Sequence, residues 1–472
     1  MLISTGMLET AGIRVVGNWD EWLPPVKIDS RQIENGDLFW ALPGERVDGH
    51  DYVATAFEAG AKICAVSEDW ATQYAGSLRE NAILFVMPDP LKGLQALAME
   101  TRRSLGAQTI ALTGSNGKTT TRELLVAGLK TLGRVTATKG NFNNHIGLPL
   151  TILNATGDEE YLVLEMGANH VGEIDFLCQI GHPESGLITN IGDAHVGEFG
   201  GFEMVQKAKG ELFDFLAGNK GLALVNLDDE RVVEVATKVT RKAGYTLGLG
   251  RIPEDWTHSL YLGEMVGQDG WSRSTIRIEG EEVTLRLIGA HWARAALAAA
   301  AMAMELGGDA SQVVPALADV EALPGRGHVI GLDDGVELLD DSYNANVASI
   351  EAAVRTLVNR EGARIAVIGD VMELGEFEED EHRRIGRIPD FEAVDHLVFV
   401  GERMSWAAEE AMLLGHPSVR AFVEASPLEI AQHVASLLEP NAGILVKGSR
   451  KVGLERVVDA LRGQGTEAGE GH

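Results

Sequence analysis

Short apolar runs recur along the chain and alternate with stretches whose apolar residues have helical spacing. In the middle of the chain these runs fall at 109–112, 161–164, 186–188 and 222–225. Strands buried on both faces of a parallel sheet read as continuous apolar runs, because helices cover both faces. The pattern therefore predicts an α/β fold with a central P-loop-type parallel sheet that has helices on both faces.

Comparable runs before and after this region predict two further α/β units. A small N-terminal unit has runs at 38–42 and 61–66, with a helix predicted at 54–60 between them. A Rossmann-like C-terminal unit follows the segment 324–327, Pro-Gly-Arg-Gly, which is typical of a hinge. The strands predicted for this last unit are 336–341, 364–369, 396–400 and 443–446.

Three domains agree with a length of 472 residues, since a domain commonly has about 100–200. We place them at 1–103, 104–323 and 324–472. The last residues, 463–472, are polar and glycine-rich, and they predict a loose tail.

Composition and charge narrow the class of protein. The net charge of −30 argues against nonspecific binding to nucleic acid or to anionic lipid. No apolar run approaches the roughly 20 residues that cross a bilayer, and residues 1–10 lack the pattern of a signal peptide. Cys64 and Cys178 lie in apolar surroundings, which predicts buried, reduced thiols. We expect a cytoplasmic protein that binds small molecules and is a monomer.

The segment 113–120, Thr-Gly-Ser-Asn-Gly-Lys-Thr-Thr, predicts a phosphate-binding loop. It joins the run 109–112 to a helix predicted from Thr119 to Leu132, and such a loop directs several N–H groups at one point. Lys118 would reach the β- and γ-phosphates, and the Thr119 hydroxyl would bind Mg²⁺. The predicted loop residues are Gly114, Ser115, Asn116, Gly117, Lys118, Thr119 and Thr120.

The alternative to a phosphate loop is an ordinary strand–turn–helix. Leu112 stands where the full P-loop pattern has its first glycine, and a bare Gly-Lys-Thr is common by chance. Strand, loop and helix are nevertheless all predicted in order, which favours nucleotide binding.

Polar residues follow the neighbouring strands of the predicted sheet. Glu165 ends the run 161–164, His195 follows the next strand, and Lys209 lies where a helix is predicted to begin near 207. Taken singly, these are a solvated carboxylate, a core histidine and a lysine on a helix face. Ligands of parallel sheets bind at the carboxyl ends of strands, so together with the loop they predict one site.

This set of residues suits a nucleotide–metal site. Thr119 and Glu165 offer the hard oxygen ligands that Mg²⁺ prefers, and His195 can hold a second divalent ion. Bond formation driven by ATP needs Mg²⁺ to screen the phosphate charge.

Over nearly its whole length the chain resembles the Mur ligases, the ATP-dependent amide-forming ligases of peptidoglycan precursor synthesis. The loop 113–120 is similar to the family's ATP loop, which also lacks the first glycine. The segment 340–346, Asp-Asp-Ser-Tyr-Asn-Ala-Asn, most specifically resembles the members that add D-alanyl-D-alanine. Further matching segments are 29–31, 48–50, 140–144, 165–170, 369–375 and 447–450.

The resemblance implies an activity and a division of labour. A ligase of this kind would join D-alanyl-D-alanine to a UDP-linked muramoyl tripeptide through an acyl phosphate, with ATP and Mg²⁺. The first domain would hold the UDP end of the substrate, the middle domain would bind ATP, and the C-terminal domain would close on ATP and bind the dipeptide.

The resemblance also implies roles for single residues. Lys118, Lys209 and His195 would be catalytic, and Lys209 falls where several family members carry a carbamylated lysine. Metal ligands would be Thr119, Glu165 and His195. The remaining implied contacts are His291, Arg326 and Asp341 for ATP, and Ser30, Arg31, Asn143, Asn144, Asn344 and Asn346 for the substrates.

The chain departs from the family pattern in two places: the segment 289–295, and, with less consequence, Val347, which replaces a usual proline after Asn346. Near the adenine site the family commonly has Gly-x-His-Asn-x-x-Asn, whereas here Gly289 and His291 remain and Trp292 and Ala295 replace the asparagines. Trp292 either stacks on a base or fills the core. The departure puts adenine recognition and ATP affinity in question.

Two alternative functions stay open. The first is a related ATP-dependent ligase with a different amino-acid acceptor, against which the segment 344–346 counts. The second is a degenerate ligase that serves as a nucleotide-binding module, for which the lost asparagines are the support. An ordinary P-loop NTPase switch fits least, because nothing resembles a Walker B strand.

Overall fold

A computed structural model describes residues 1–44, 47–77, 82–192, 196–199, 201–248, 252–254 and 256–463. These residues form three α/β units, each built around its own sheet. The structure confirms the predicted fold class of three α/β domains with parallel-rich sheets.

The N-terminal unit has a five-stranded sheet in the order β1-β5-β4-β3-β2, in which only β1 is antiparallel to its neighbour. Its strands are β1 Arg14–Val16, β2 Val26–Lys27, β3 Leu38–Trp40, β4 Ile63–Ser67 and β5 Ile83–Met87. Its helices are α1 Thr5–Thr10, α2 Val53–Glu58, α3 Glu68–Tyr74 and α4 Pro90–Ser104.

The middle unit has a nine-stranded sheet in the order β14-β13-β12-β11-β10-β9-β6-β8-β7. Its strands are β6 Gln108–Thr113, β7 Val135–Ala137, β8 Tyr161–Glu165, β9 Ser185–Ile188, β10 Leu222–Asn226, β11 Arg241–Thr246, β12 Leu260–Gln268, β13 Ser274–Ile278 and β14 Glu281–Thr284. Its helices are α5 Lys118–Leu129, α6 Gly147–Leu153, α7 Glu173–Gly181, α8 Val196–Phe199, α9 Phe202–Gly218, α10 Glu230–Val235, α11 His291–Glu305 and α12 Ala310–Ala316.

The sequence predicts a parallel middle sheet, but the sheet is parallel only in part. Strands β6 to β12 pair in parallel, whereas β12, β13 and β14 form an antiparallel edge. The chain can turn directly from one antiparallel strand to the next, so these strands need no crossover helix. Two helix boundaries were also wrong: α5 ends at Leu129, and α9 begins at Phe202 rather than near 207.

The C-terminal unit has a six-stranded sheet in the order β15-β16-β20-β17-β18-β19, antiparallel only between β15 and β16. Its strands are β15 His328–Gly331, β16 Glu337–Asp341, β17 Arg364–Gly369, β18 His396–Val400, β19 Val419–Phe422 and β20 Gly443–Lys447. Its helices are α13 Val347–Val358, α14 Glu378–Gly386, α15 Met404–Leu413, α16 Pro427–Ala435 and α17 Glu455–Leu461.

Apolar cores fix how the units are joined. One cluster runs from one face of the first sheet through α4 to a face of the middle sheet, so these two units share a core. Cys64 and Cys178 are both buried, as predicted. Within the described ranges, no helix is long and apolar enough to cross a membrane. The predicted tail beyond 463 lies outside the described residues.

Candidate active site

The predicted phosphate loop lies between β6 and α5, at the carboxyl end of the middle sheet. Gly114 has a φ of 144°, and a Cβ there would lie 2.0 Å from Thr189 Oγ1, so a side chain has no room. Gly117 precedes α5 with a φ of 76°, a conformation that favours glycine. The first N–H groups of α5, from Lys118 to Thr120, have no helical carbonyl before them and are available to an anion.

The loop is held in shape by the end of β9. Ser115 N donates to Asn190 O at 3.0 Å, and Asn116 N donates to Asn190 Oδ1 at 3.0 Å. Asn116 O accepts from Thr189 Oγ1 at 2.7 Å and from Asn190 Nδ2 at 3.0 Å. The Asn116 peptide is therefore bonded on both sides, at its N–H and at its carbonyl oxygen.

Lys118 lies folded over the loop that it follows. Its Nζ donates to Gly114 O at 2.7 Å and to Ser115 O at 3.3 Å. Burial in the cleft and the nearby positive charge of Arg326 lower the pKa of Lys118, and Glu165 opposes them. An anion beside Nζ would relieve this cost, so the ammonium is suited to a phosphate.

Glu165, at the end of β8, is the centre of a buried hydrogen-bond network. Its Oε1 accepts from Thr119 Oγ1 at 3.3 Å and from Asn143 Nδ2 at 2.8 Å. Its Oε2 pairs with Arg122 Nη1 at 3.0 Å, and the side chains of both partners are 2% exposed. Arg122 lies one turn after Thr119 on α5, so the same helix face supplies the hydroxyl and the counter-charge.

The network provides few metal ligands from the protein alone. Outside the gaps in the described chain, no group of three or more His, Cys, Asp or Glu side chains is arranged to hold a metal. Thr119 and Glu165 contribute one hydroxyl and one carboxylate, both hard oxygen donors. Mg²⁺ is commonly bound by one or two such ligands together with phosphate oxygens, so the donor set fits a metal that arrives with a nucleotide.

Lys209 is buried in the middle of α9, which packs on the face of the middle sheet opposite α5. Its Nζ donates to Ala168 O at 3.2 Å and lies 5.3 Å from the centroid of the Phe199 ring. Burial and the charge of Lys118 lower the pKa of Lys209 to about 7. The other predicted residue of this region, His195, lies outside the described residues.

The C-terminal domain closes the cleft above the loop. Asp341 Oδ2 accepts from Lys447 Nζ at 2.6 Å, and Lys447 also donates to Asn344 O at 3.1 Å. Burial in the cleft raises the pKa of Asp341, while Lys447 opposes the shift. The Arg326 guanidinium stacks on the Tyr343 ring, 3.9 Å from its centroid.

Among the described residues, two of the direct contacts between the C-terminal domain and the middle domain lie beside the phosphate loop and α8. Asn346 Nδ2 donates to Asn116 Oδ1 at 2.7 Å, which brings the 340–346 segment onto the phosphate loop. Gly197 of α8 touches the loop after β17, where a Cβ on Gly197 would lie 2.4 Å from Gly375 N. We refer to this pair of contacts as the loop contact.

A second contact between the same two domains lies at the turn between β12 and β13. Trp271 is 4% exposed and packs in the core of the C-terminal domain. Its Nε1 donates to Glu337 Oε2 at 2.7 Å, and Arg360 Nη2 pairs with the same oxygen at 2.7 Å. Ser272 Oγ also accepts from Asn359 Nδ2 at 2.9 Å. We refer to these residues as the hairpin contact.

The region predicted for adenine lies at the start of α11. The His291 ring is reached by solvent but surrounded by the two domains; burial, Lys447 and Arg294 lower the pKa of His291 to about 4. Trp292 is half-buried and lies 3.5 Å from the Cβ position of Gly117. Trp292 therefore packs against the phosphate loop, and whether it also meets a base stays a prediction.

The remaining predicted substrate residues are not joined in one network. The exposed Arg31 side chain pairs through Nε and Nη2 with both oxygens of Asp29, at 2.9 Å each, and Ser30 is half-buried beside it. Asn144 Oδ1 accepts from Gly147 N at 2.9 Å and thus shapes its own loop. Asn344 is exposed in the cleft region.

Sequence reasoning missed several residues of this site. Arg122, Lys447 and Trp271 had no assigned role, although each is buried and makes an ionic or hydrogen bond across elements. A signal existed for Arg122, since a charged residue three positions after Thr119 on an otherwise buried helix face needs a partner.

Comparisons with known proteins agree with this architecture. A family model described as the Mur ligase middle domain matches residues 112–303. Models for the Mur ligase glutamate ligase domain and for the Mur ligase family catalytic domain match 325–450 and 25–87.

Curated relatives match over nearly the whole chain. The UDP-N-acetylmuramoyl-tripeptide–D-alanyl-D-alanine ligase of Escherichia coli (strain K12) is 35% identical over 448 residues, 95% of each chain. The enzyme of that name from Bacillus subtilis (strain 168) is 34% identical, with 92% of each chain covered.

Solved structures agree in fold. MurF from Acinetobacter baumannii superposes with a TM-score of 0.83 at 29% identity, covering 98% of this chain and 99% of that chain. MurF ligase from Thermotoga maritima in complex with ADP gives 0.76 at 25% identity, covering 95% and 99%. The resemblance seen in the sequence is confirmed: the chain belongs to the Mur ligase family.

Proposed function

We propose that this chain joins D-alanyl-D-alanine to UDP-N-acetylmuramoyl-tripeptide at the expense of ATP. The observation that carries the proposal is the meeting of the phosphate loop with the 340–346 segment across one cleft, through Asn116 and Asn346. Curated relatives that carry this activity in their names are 35% and 34% identical over at least 92% of the chain. A ligase needs its nucleotide and its acceptor on the two sides of such a cleft.

In the first step, a terminal carboxylate oxygen of the tripeptide attacks the γ-phosphorus of ATP, and ADP leaves. The N–H groups at the start of α5 and the Lys118 ammonium would hold the phosphates and stabilise the charge that moves onto the leaving oxygen. The carboxylate alone is a poor electrophile, so its conversion into an acyl phosphate is the purpose of ATP.

Thr119 Oγ1 and Glu165 Oε1 would bind Mg²⁺ together with phosphate oxygens. Both oxygens lie in the same network, 3.3 Å apart, while Arg122 holds the other carboxylate oxygen. A bound Mg²⁺ would screen the phosphate charge during transfer. His195 remains a candidate ligand for a second ion.

In the second step, the free amine of D-alanyl-D-alanine attacks the acyl carbon. The tetrahedral intermediate collapses to the amide and inorganic phosphate, and the amine loses its proton to the medium. Closure of the C-terminal domain would keep water from the acyl phosphate, and Arg326 and Asp341 would contact ATP from that side. His291 would contribute from α11.

Lys209 is a candidate for carbamylation. A carbamate forms when a neutral amine attacks CO₂ and loses a proton, and a pKa of about 7 leaves half of the Lys209 side chains neutral at that pH. The product carries a carboxylate-like group beside the cleft. A ¹³C signal from ¹³CO₂-treated protein that disappears in Lys209→Met is the direct test.

The domains would divide the substrates between them. Residues 1–103 would hold the UDP end, with Ser30 and Arg31 near it, and Asn143 and Asn144 would lie along the tripeptide. Residues 104–323 would bind ATP, and 324–472 would bind the dipeptide near Asn344 and Asn346. We expect the protein to act as a monomer in the cytoplasm.

The decisive measurement is phosphate release from ATP with UDP-N-acetylmuramoyl-tripeptide present and D-alanyl-D-alanine added or withheld. Release should require both substrates and should be lost in Lys118→Ala. Lys130→Ala is the matched control, because Lys130 is exposed near the end of the same helix. No release at high ATP in the unmodified chain would favour a nucleotide-binding module, and release with single amino acids would favour a different acceptor.

A further inference from the structure

Asn346 uses both ends of its side-chain amide within the protein. Its Oδ1 accepts from Ser349 N at 2.8 Å and so caps α13, while Ser349 Oγ accepts from Asn346 N at 3.0 Å to complete a capping box. Its Nδ2 donates to Asn116 Oδ1 at 2.7 Å. The cap fixes which amide atom faces which way, because only an oxygen can accept from Ser349 N.

Asn116 is equally constrained on its own side of the cleft. Its peptide is held by Asn190 and Thr189 at the end of β9, so its side chain is the part of this residue that faces the C-terminal domain. The next residue, Gly117, precedes the first turn of α5, whose first N–H groups would hold the phosphates. A displacement of the Asn116 side chain is therefore transmitted directly to the loop.

We propose that Asn346 is a positioning residue that links closure of the C-terminal domain to the nucleotide-holding form of the phosphate loop through Asn116. The inference rests on the proposed function only in assigning ATP to the loop. Asn346 belongs to the segment that most specifically resembles the D-alanyl-D-alanine-adding members, so the acceptor side and the nucleotide side share one hydrogen bond.

Such a link is reciprocal. If a nucleotide on the loop favours the closed cleft, then closure must raise the affinity for the nucleotide by the same factor. The two domains also touch at Gly197 and Gly375, which lie on a different element and do not share atoms with the asparagine pair. The pair can therefore be broken without removing the rest of the loop contact.

The test is a double-mutant cycle on nucleotide binding with the full chain. Asn346→Ser keeps an oxygen that caps α13 but loses the donor to Asn116, and Asn116→Ala loses the acceptor. We expect each variant to weaken binding of a non-hydrolysable ATP analogue, measured by calorimetry, about threefold to tenfold, as for one neutral hydrogen bond. The double variant should be no weaker than either single variant.

Ser349→Ala is the matched control. It removes one bond of the capping box and leaves the asparagine pair in place, so nucleotide affinity should stay within twofold of the parent. Small-angle scattering with the analogue bound should show the parent and Ser349→Ala equally compact, and Asn346→Ser more extended.

Two results would overturn the proposal. Independent, multiplying losses in the double variant would show that the two side chains do not act on each other. An equal loss of affinity in Ser349→Ala would show that the helix cap, and not the bond to Asn116, is what matters. Neither result depends on ligase activity, so a failure of the proposed function would be seen separately, as no turnover in the unmodified chain.

Discussion

Among the described residues, two of the contacts between the C-terminal domain and the middle domain differ in kind. The hairpin contact buries Trp271 in the core of the other domain and satisfies its N–H with Glu337. The loop contact consists of one hydrogen bond between asparagines and a close approach of two glycines. Apolar burial stabilises an interface much more than one neutral hydrogen bond does. We therefore expect the hairpin contact to be the permanent joint, and the loop contact to be the one that opens.

The two contacts also differ in how many energetically unfavourable groups lie near them. Near the loop contact, burial disfavours the charged forms of Lys118, Lys209 and Asp341, and Glu373 has a φ of 67°. Strained backbone and perturbed ionisable groups commonly gather at functional sites. At the hairpin contact the groups are paired instead. We therefore expect stability gained at the hairpin contact to offset the unfavourable groups held at the site.

The largest effect is expected from Trp271→Ala. Removing a buried tryptophan leaves a cavity between the domains, and we expect a loss of about 3–5 kcal/mol in the free energy of unfolding, measured by calorimetry or circular dichroism with denaturant. Trp271→Phe keeps an aromatic ring and loses the bond to Glu337, so about 1 kcal/mol should be lost. Equal losses in the two variants would mean that the ring does not anchor the domain.

Lys209→Met should raise the free energy of unfolding, whereas Trp271→Ala should lower it. In the folded chain the pKa of Lys209 is about 7, whereas an unfolded lysine titrates near 10.4. Between these values the unfolded chain binds the proton and the folded chain does not, so this group makes stability rise with pH. Below pH 7 the full cost of the buried charge is present.

The variant should therefore be stabilised more at pH 6 than at pH 9. The difference should be about 2–3 kcal/mol, from about 1.36 kcal/mol per pKa unit. Denaturant unfolding in CO₂-free buffer measures it, and Lys130→Met, an exposed change, should show no such dependence. An unchanged pH profile in Lys209→Met would mean that Lys209 is not held neutral, and that the site does not carry this cost.

Some features of the two regions could be predicted from the sequence, and others could not. The parallel strands were readable because burial on both faces leaves continuous apolar runs, as at β6 and β8. The phosphate loop was readable because its glycines and lysine are adjacent in the chain. The antiparallel edge was not predicted, although β13 alternates buried and half-buried residues with the period of a strand.

Contacts between segments that are distant in the chain could not be predicted from the sequence. Asn116 and Asn346 are 230 positions apart, and no local pattern joins them. Trp271 lies in a polar turn, where an isolated tryptophan does not show which domain will bury it. Asn346 resembled a substrate residue because its motif did, and only the structure brings both of its amide atoms onto protein partners.

The smallest change in stability, with a clear change in activity, is expected from Gly197→Ala. Gly197 has no positive φ, and alanine is favourable in a helix, so α8 itself should tolerate it. The new Cβ would lie 2.4 Å from Gly375 N and from Leu374 C, which are backbone atoms of the other domain and cannot rotate away. The variant should therefore hold the cleft partly open and lower kcat/KM about tenfold or more.

Gly218→Ala is the control, because Gly218 ends α9 and, apart from its chain neighbours and its own helix backbone, no atom lies within 4 Å of its Cβ position. Both variants should unfold within about 1 kcal/mol of the parent, as expected for glycine-to-alanine changes in helices. Ligation measured at several ATP concentrations should fall only in Gly197→Ala. If both variants keep full activity, the approach of Gly197 to Gly375 is not needed for catalysis, and closure would then depend on the asparagine pair. If Gly197→Ala also loses several kcal/mol, the loop contact is a second permanent joint, and the distinction between the two contacts fails.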